Sequence, residues 1–337
     1  MPVNRQVTLA GRPAGEPAES DFALVESPVP EPGEGEVLAR TLWLSLDPYQ
    51  RGRMSEARSY ARPVELGGVM TAQTVSEVVE SRSSRYAVGD LVLGPYGWQE
   101  YGVAPAHLLR RVDADAAPIS TALHVLGMTG LTAYFGLFSI GRPLPGDTVV
   151  ISAAAGAVGQ IAGQLARLAG CRTVGIAGSP EKVDDLLTLY RYDCGIDYKQ
   201  EDVRAALERE CPDGVDVYFD NVGGAVSAAV HRNLAKHARI AICGQIADYN
   251  GLPPEGVARG LGFMIVRRAQ MEGFLVGDFA HLYGPALQRL HRWLADGSLR
   301  YREDVVEGLE LAPRAFIGLL RGENRGKLLV KVAEHEP

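Results

Sequence analysis

The sequence predicts an α/β protein in which a small β-rich domain accompanies a doubly wound parallel sheet. Three observations predict it. The chain is 337 residues long, more than one ordinary core accommodates. Its texture changes near residue 125, from strand-like runs punctuated by Pro and Gly to alternating strand and helix patterns. A glycine-rich turn, within "ISAAAGAVGQIAGQLARLAG" (151–170), lies between a β-branched run and an amphipathic one.

Before residue 125 the runs "GEVLARTLWLSLD", "VSEVVE", "YAVGDLVLG" and "QEYGVA" read as short antiparallel strands. Beyond it, "DTVVIS" (147–152) enters the glycine turn and "QIAGQLARLAG" (160–170) leaves it at helical spacing. "RTVGIAG" is a second strand, "PEKVDDLLTLYR" a helix and "GIDYK" a third strand; "VDVYFDNVGG", "RIAICG" and "MEGFLVG" are three more. That order predicts a doubly wound sheet. From about residue 302 the pattern changes again and ends in "GKLLVKV", a strand able to return to the first domain. The expected boundaries are 1–125, 126–302 and 303–337.

Composition excludes several classes. With 46% hydrophobic and 22% charged residues the chain is globular, and a net charge of −7 gives nucleic acid or an anionic membrane no attraction. No apolar window is long enough to span a bilayer, and the first twenty residues lack the apolar core of a secretory signal. Cys171, Cys194, Cys211 and Cys243 are widely spaced, which suits reduced thiols in a cytoplasm rather than disulfides or a zinc lobe.

A strand-to-helix turn that faces a pyrophosphate needs small residues, so that backbone approaches phosphate and helix packs on strand. Gly156 and Gly159 occupy the second and third positions of the G-x-G-x-x-G fingerprint; Ala154 stands at the first, suiting a turn that needs no left-handed residue there. A tight core turn is the plain alternative, but the flanking strand and helix are the context a dinucleotide site requires. About twenty residues on, "GIAGSPEK" ends the second strand in Gly178 and Ser179, with Lys182 in the first helical turn. An NAD site places an acid at that strand end. A hydroxyl, a helix N-terminus and an ammonium instead suit a 2′-phosphate, so NADPH is expected over NADH. Ser179 also reads as an ordinary N-cap with Pro180 at the first helical position, and the two roles are compatible.

"AAAGAVG", "GSPEK", "YFDNVGG", "RIAICGQIADYN", "GENRGKLLVKV", "LSLDPYQRGRM" (44–54) and "LGMTGLTAYFGL" (126–137) together resemble the zinc-free medium-chain dehydrogenase/reductase superfamily. The resemblance spans essentially the whole chain and is greatest to the prostaglandin reductase, leukotriene B4 dehydrogenase-like and curcumin reductase group. It implies a GroES-like β-rich catalytic domain, built from the N-terminal part and the tail, around a Rossmann NADP-binding domain. It also implies a homodimer and NADPH-dependent reduction of a carbon–carbon double bond conjugated to a carbonyl. Carried over by position, the diphosphate lies on Gly156, Ala157, Val158 and Gly159, and the 2′-phosphate meets Lys182 and Tyr198. Asn221 and the segment Cys243, Gly244, Gln245, Ile246 through Tyr249 line the cofactor. Phe274, Leu275 and Val276 flank the nicotinamide, and Asn324 closes the site from the tail. Gln73 and Ser76 stand where relatives carry glycine, and "GLPPEGVARGLGF" (251–263) is shorter than the usual Pro-rich loop; both bear on substrate identity.

No metal ligation is expected. No Cys precedes residue 171, the zinc-type G-H-E string is absent near "LGGVM" (66–70), and the seven His show no ligand spacing. Charge developing on a substrate oxygen must then meet hydrogen-bond donors, and Tyr249 and Tyr49 are the candidates. Tyr249 ends the loop after a strand carboxyl end, where such sheets bind ligands. With thirteen tyrosines, packing is the plain alternative for each, and it is the expectation for Tyr96 and, likewise, Trp98. Two other functions stay open at this point: a zinc-free quinone reductase and a non-catalytic NADPH-binding protein.

Overall fold

The computed structural model describes residues 3–57, 59–251 and 261–335. The chain forms two compact units, Met1–Leu123 with Glu303–Asn324 and Leu328–Pro337, and His124–Arg302 with Arg325–Lys327.

The first unit opens with an antiparallel ribbon, β1 (Val3–Leu9) on β2 (Phe22–Pro28). There follow β3 (Glu36–Ser45), a one-turn helix α1 (Gln50–Arg53), β4 (Thr74–Ser81), β5 (Leu91–Gly94), β6 (Tyr101–Pro105) and β7 (Arg110–Arg111). Long β3, apolar and buried along most of its length, is the spine: it pairs antiparallel with β4 and β6. Trp98 is fully buried, stacked on Phe22 at 5.6 Å and edge-on to Phe316 at 5.6 Å, so its role is packing.

The second unit alternates. It runs α2 (Met128–Phe135), β8 (Thr148–Ser152), α3 (Gly159–Leu168), β9 (Arg172–Ala177), α4 (Pro180–Thr188), β10 (Cys194–Asp197) and α5 (Val203–Glu210). It continues with β11 (Val215–Asp220), α6 (Gly224–Arg232), β12 (Leu234–Ile242), α7 (Gly262–Arg267), β13 (Gln270–Gly273) and α8 (Tyr283–Ala295). The six strands are parallel, in the order β10-β9-β8-β11-β12-β13. This is the doubly wound order, with its switch point between β8 and β11. Val149, Val150 and Ile151 of β8 are wholly buried, as a central strand covered on both faces requires. The loop expected at 251–263 lies largely outside the described residues.

The chain then re-enters the first unit through β14 (Glu303–Glu307), α9 (Ala312–Leu320) and β15 (Lys327–Lys331). Residues 329–331 of β15 pair antiparallel with β3, so the tail strand does return. One expectation needs correction. "MEGFLVG" is not one strand: β13 stops at Gly273, because Phe274 turns inward against Phe219 and Phe279. Val276 then starts a 3-10 turn whose first carbonyl accepts the Tyr283 hydroxyl at 3.0 Å.

Candidate active site

The glycine turn is built by close approach. A Cβ on Gly159 would lie 2.4 Å from the Ala153 carbonyl oxygen and 2.6 Å from Ala154 Cα, so the first turn of α3 packs on the end of β8 only with glycine there. Ala154 is fully buried and needs only to be small: a Cβ on Gly175 of β9 would come within 2.9 Å of its methyl. The left-handed residue is its neighbour, Ala153, at φ 47°. Gly156 donates to the Ala153 carbonyl at 2.9 Å, Val158 caps α3, and the Ala157 carbonyl accepts from buried His124 Nε2 at 3.2 Å.

At the end of β9, Ser179 is the N-cap of α4. Its hydroxyl oxygen accepts from the Lys182 backbone N–H at 3.3 Å, and Pro180 fills the first helical position. The Tyr198 ring stands against Gly178, where a Cβ would lie 2.6 Å from the ring edge. Ser179, Lys182 and Tyr198 therefore share one corner of the sheet. Glu181 is in the same turn; its own backbone N–H and the Ser179 hydroxyl hold its carboxyl below the usual range.

At the switch point, Asn221 Nδ2 donates to the Ser152 carbonyl at 2.7 Å, and the Asn221 backbone N–H donates to Ser152 Oγ at 2.9 Å. Cys243 and Gly244, just past β12, donate their backbone N–H groups to the Asp220 carbonyl at 2.8 and 3.1 Å. Ile246 begins a single 3-10 turn, Ile246–Asp248, and the Tyr249 hydroxyl folds back over Gly244, 3.5 Å from where a Cβ would stand. Burial, then the Asp220 carboxylate, pushes the Cys243 thiol up to about 12, so it is not a nucleophile. Phe274 packs where Gly136 leaves room for it, 2.5 Å from a Cβ there, while Leu275 is exposed. Asn221, Gln245, Tyr249 and the glycine turn thus stand at strand carboxyl ends within one unit.

Two expected residues belong to the other unit. Tyr49 caps α1, its phenol pushed well up by burial and then by Asp47, with the Arg53 guanidinium 5.5 Å from its ring acting the other way. Asn324 ends the Glu303–Asn324 segment.

Two further sets of residues at the site have no local sequence pattern pointing to them. Asp220, last residue of β11, is 1% exposed, and its carboxylate accepts six hydrogen bonds. Arg325, Gly326 and Lys327 join the nucleotide unit: Gly326 bridges to Gly156, and Arg325 meets buried Asp185 of α4 through two hydrogen bonds, 2.5 and 2.8 Å. Gly326 sits at φ 96°, and a Cβ there would strike the Arg302 carbonyl at 2.3 Å. The spelling "GENRGK" contains this second set but marks no partner for it.

A six-stranded doubly wound sheet with this turn, inserted in a β-rich unit that resumes after it, defines a nicotinamide-dependent reductase of the medium-chain type. Residues 5–112 match a family described as the N-terminal domain of oxidoreductase, and residues 157–292 one described as zinc-binding dehydrogenase. The NADPH-dependent curcumin reductase of Escherichia coli is 43% identical over 98% of this chain and 97% of its own length. The NADP(+)-dependent 2-alkenal reductase of Nicotiana tabacum is 43% identical over 98% of both. CurA from Vibrio vulnificus, solved in complex with NADPH, superposes with a TM-score of 0.94 at 44% identity, covering 98% of this chain and all of that one. The chain belongs to the zinc-free medium-chain dehydrogenase/reductase family, in its prostaglandin reductase and curcumin reductase group. A zinc ion does not fit the residues present: among the described residues no group of three His, Cys, Asp or Glu converges.

Proposed function

We propose that the protein is an NADPH-dependent reductase of carbon–carbon double bonds conjugated to a ketone or aldehyde. The observation that carries it is full-length kinship, at 43% identity, with reductases named for curcumin and for 2-alkenals. The quinone oxidoreductases among the structural neighbours are 23% identical or less and speak to fold alone.

The residues suit NADPH. Glycine at 156 and 159 leaves backbone room at a helix start, and the β9 end presents Ser179, Lys182 and Tyr198 with no acid on the strand itself. When bound, the cofactor supplies a hydride to the β-carbon of the substrate. The protein's task is then to meet the charge that develops on the carbonyl oxygen and to deliver a proton to the α-carbon. Tyr249 is the donor proposed for that oxygen, with Tyr49 as the second candidate; the raised phenol of Tyr49 stays protonated at neutral pH, as a donor must. In this reading Gly156 to Gly159 hold the diphosphate. Asn221, Cys243 to Ile246 and Phe274 to Val276 surround the dinucleotide.

The assembly we propose is a homodimer paired through β13, in the cytoplasm. Its support is an edge strand whose four residues are all exposed, together with four free cysteines. Among the described residues no helix is long and apolar enough to cross a membrane.

The test is loss of NADPH absorbance across enones, enals, curcuminoids and simple quinones. Enones and enals should be turned over well ahead of quinones. Quinone turnover equal to or above that of enones would replace this reading with a quinone reductase.

A further inference from the structure

The carboxylate of Asp220 is the most heavily used polar group at the switch point. Oδ1 accepts from Tyr218 Oη at 3.0 Å, from the backbone N–H groups of Val222 and Gly223 at 2.9 Å each, and from Ser152 Oγ at 3.3 Å. Oδ2 accepts from Ser227 Oγ at 2.7 Å and from Gln245 Nε2 at 3.0 Å. These donors come from β8, β11, the β11–α6 turn, α6 and the segment after β12. A buried carboxylate is tolerable only when its lone pairs are met in this way, and so satisfied it fixes its donors in turn.

Of those contacts, Gln245 matters most for the chemistry. Its side chain lies across the β11–α6 turn, where Gly223, at φ 75°, leaves room: a Cβ there would be 2.6 Å from Gln245 Oε1. The Gln245 backbone carbonyl accepts from Asp248 N–H at 2.9 Å, and Ala247 N–H donates to the Val222 carbonyl at 3.0 Å. The turn that ends in Tyr249 is therefore fastened to Asp220 by a side chain at its start and to the β11–α6 turn at its middle.

We propose that Asp220 is a positioning residue for the active site: through Gln245 it sets the 245–249 turn and so the direction of the Tyr249 hydroxyl. The proposal rests on the reading of Tyr249 as the donor. Asp220 touches neither substrate nor cofactor in this role. It acts through Gln245.

An exchange of donor and acceptor tests it. Gln245→Glu sets a second carboxylate against Oδ2 and should lower kcat about tenfold or more, with faster amide hydrogen exchange over residues 244–249. Adding Asp220→Asn restores a hydrogen bond of opposite polarity, its amide N–H donating to the new carboxylate, and should recover most of both losses. In a Tyr249→Phe background and at saturating NADPH, Gln245→Glu should lower kcat by a clearly smaller factor than it does with the hydroxyl present, because the donor it misplaces is already gone. The proposal is overturned if the double variant does no better than Gln245→Glu, if the loss is the same without the Tyr249 hydroxyl, or if neither kcat nor exchange moves. Melting curves identify a variant that has not folded. Gln245→Leu, which removes the link without adding charge, then decides by the same two readouts. Wild-type turnover in Tyr249→Phe alone dismisses the donor reading, an outcome separate from an uncoupled cycle with the donor intact.

Discussion

Asn221 Nδ2 lies 2.7 Å from the Ser152 carbonyl oxygen, and this side-chain bond is one of three by which Ser152 ties the carboxyl end of β8 to Asp220 and Asn221 at the end of β11. Those two strands lead to opposite halves of the sheet, and the gap between their ends is where such folds take their ligand. Asn221→Ala should remove that bond and leave the Ser152 carbonyl to water. A net hydrogen bond is worth about 0.5–1.5 kcal/mol, so the melting temperature should fall by a few degrees. NADPH binding, measured by fluorescence titration, should weaken alongside; unchanged affinity would separate this bond from the cofactor site.

The corner formed by Ser179, Lys182 and Tyr198 predicts cofactor choice. Lys182→Ala should weaken NADPH and leave NADH nearly unaltered. A charge-assisted contact contributes about 1.5–3 kcal/mol, or roughly ten- to a hundredfold in affinity. Equal affinity of the native protein for the two cofactors would count against a 2′-phosphate site at this corner.

These features differ in how much of them a reader of the sequence can see. The β8–turn–α3 unit and the Ser179 cap are written in residues a few positions apart, where periodicity, small residues and capping chemistry speak directly. Even there the left-handed residue came one place before the fingerprint position, at Ala153, because the turn is set by how Gly159 and Gly175 crowd Ala154. The Asp220 hub joins residues up to 68 apart in sequence, and the Arg325–Asp185 pair spans 140. No local pattern announces a buried carboxylate whose donors arrive from five segments. The strand expected at 271–277 was lost for a similar reason: Phe274 fits the sheet by composition, but the space beside Gly136 claims it.

The thiols predict an alkaline limit to stability. Burial raises Cys171 and Cys211 from 9.0 to about 11. A group raised in the folded state holds its proton after the unfolded chain has released it. The stability it contributes is therefore present below about pH 9 and is lost as pH climbs toward about 11. Urea unfolding at about pH 8 and about pH 10.5 should show falling stability, with a shallower fall in Cys171→Ala/Cys211→Ala. An identical slope in the double variant would remove these thiols as a cause.

The exposed edge at β13 predicts a dimer. Gln270, Met271, Glu272 and Gly273 are all exposed, at the outer edge of the parallel sheet. An edge of unpaired backbone groups invites pairing with its copy across a two-fold axis. Light scattering at micromolar concentration should give twice the chain mass. Met271→Arg, which places a charge on that edge, should shift the protein toward monomer. A native monomer at that concentration would refute the assembly.

The last prediction concerns the donor itself. The Tyr249 hydroxyl stands over Gly244 at the carboxyl end of β12, beside the Asn221 carbonyl that flanks the same glycine. Tyr249→Phe keeps the ring and removes only the hydroxyl. Where that hydroxyl meets charge building on the substrate oxygen, its loss costs about 2.7–4 kcal/mol in the transition state, a factor of roughly a hundred to a thousand. A second donor, such as a ribose hydroxyl, would share that oxygen and reduce the factor, so the expected fall in kcat is about tenfold or more. Cofactor affinity should change little, because the ring that packs there remains. Turnover equal to the native protein's on a well-accepted enone would take Tyr249 out of the mechanism, and Tyr49→Phe would then be the decisive substitution.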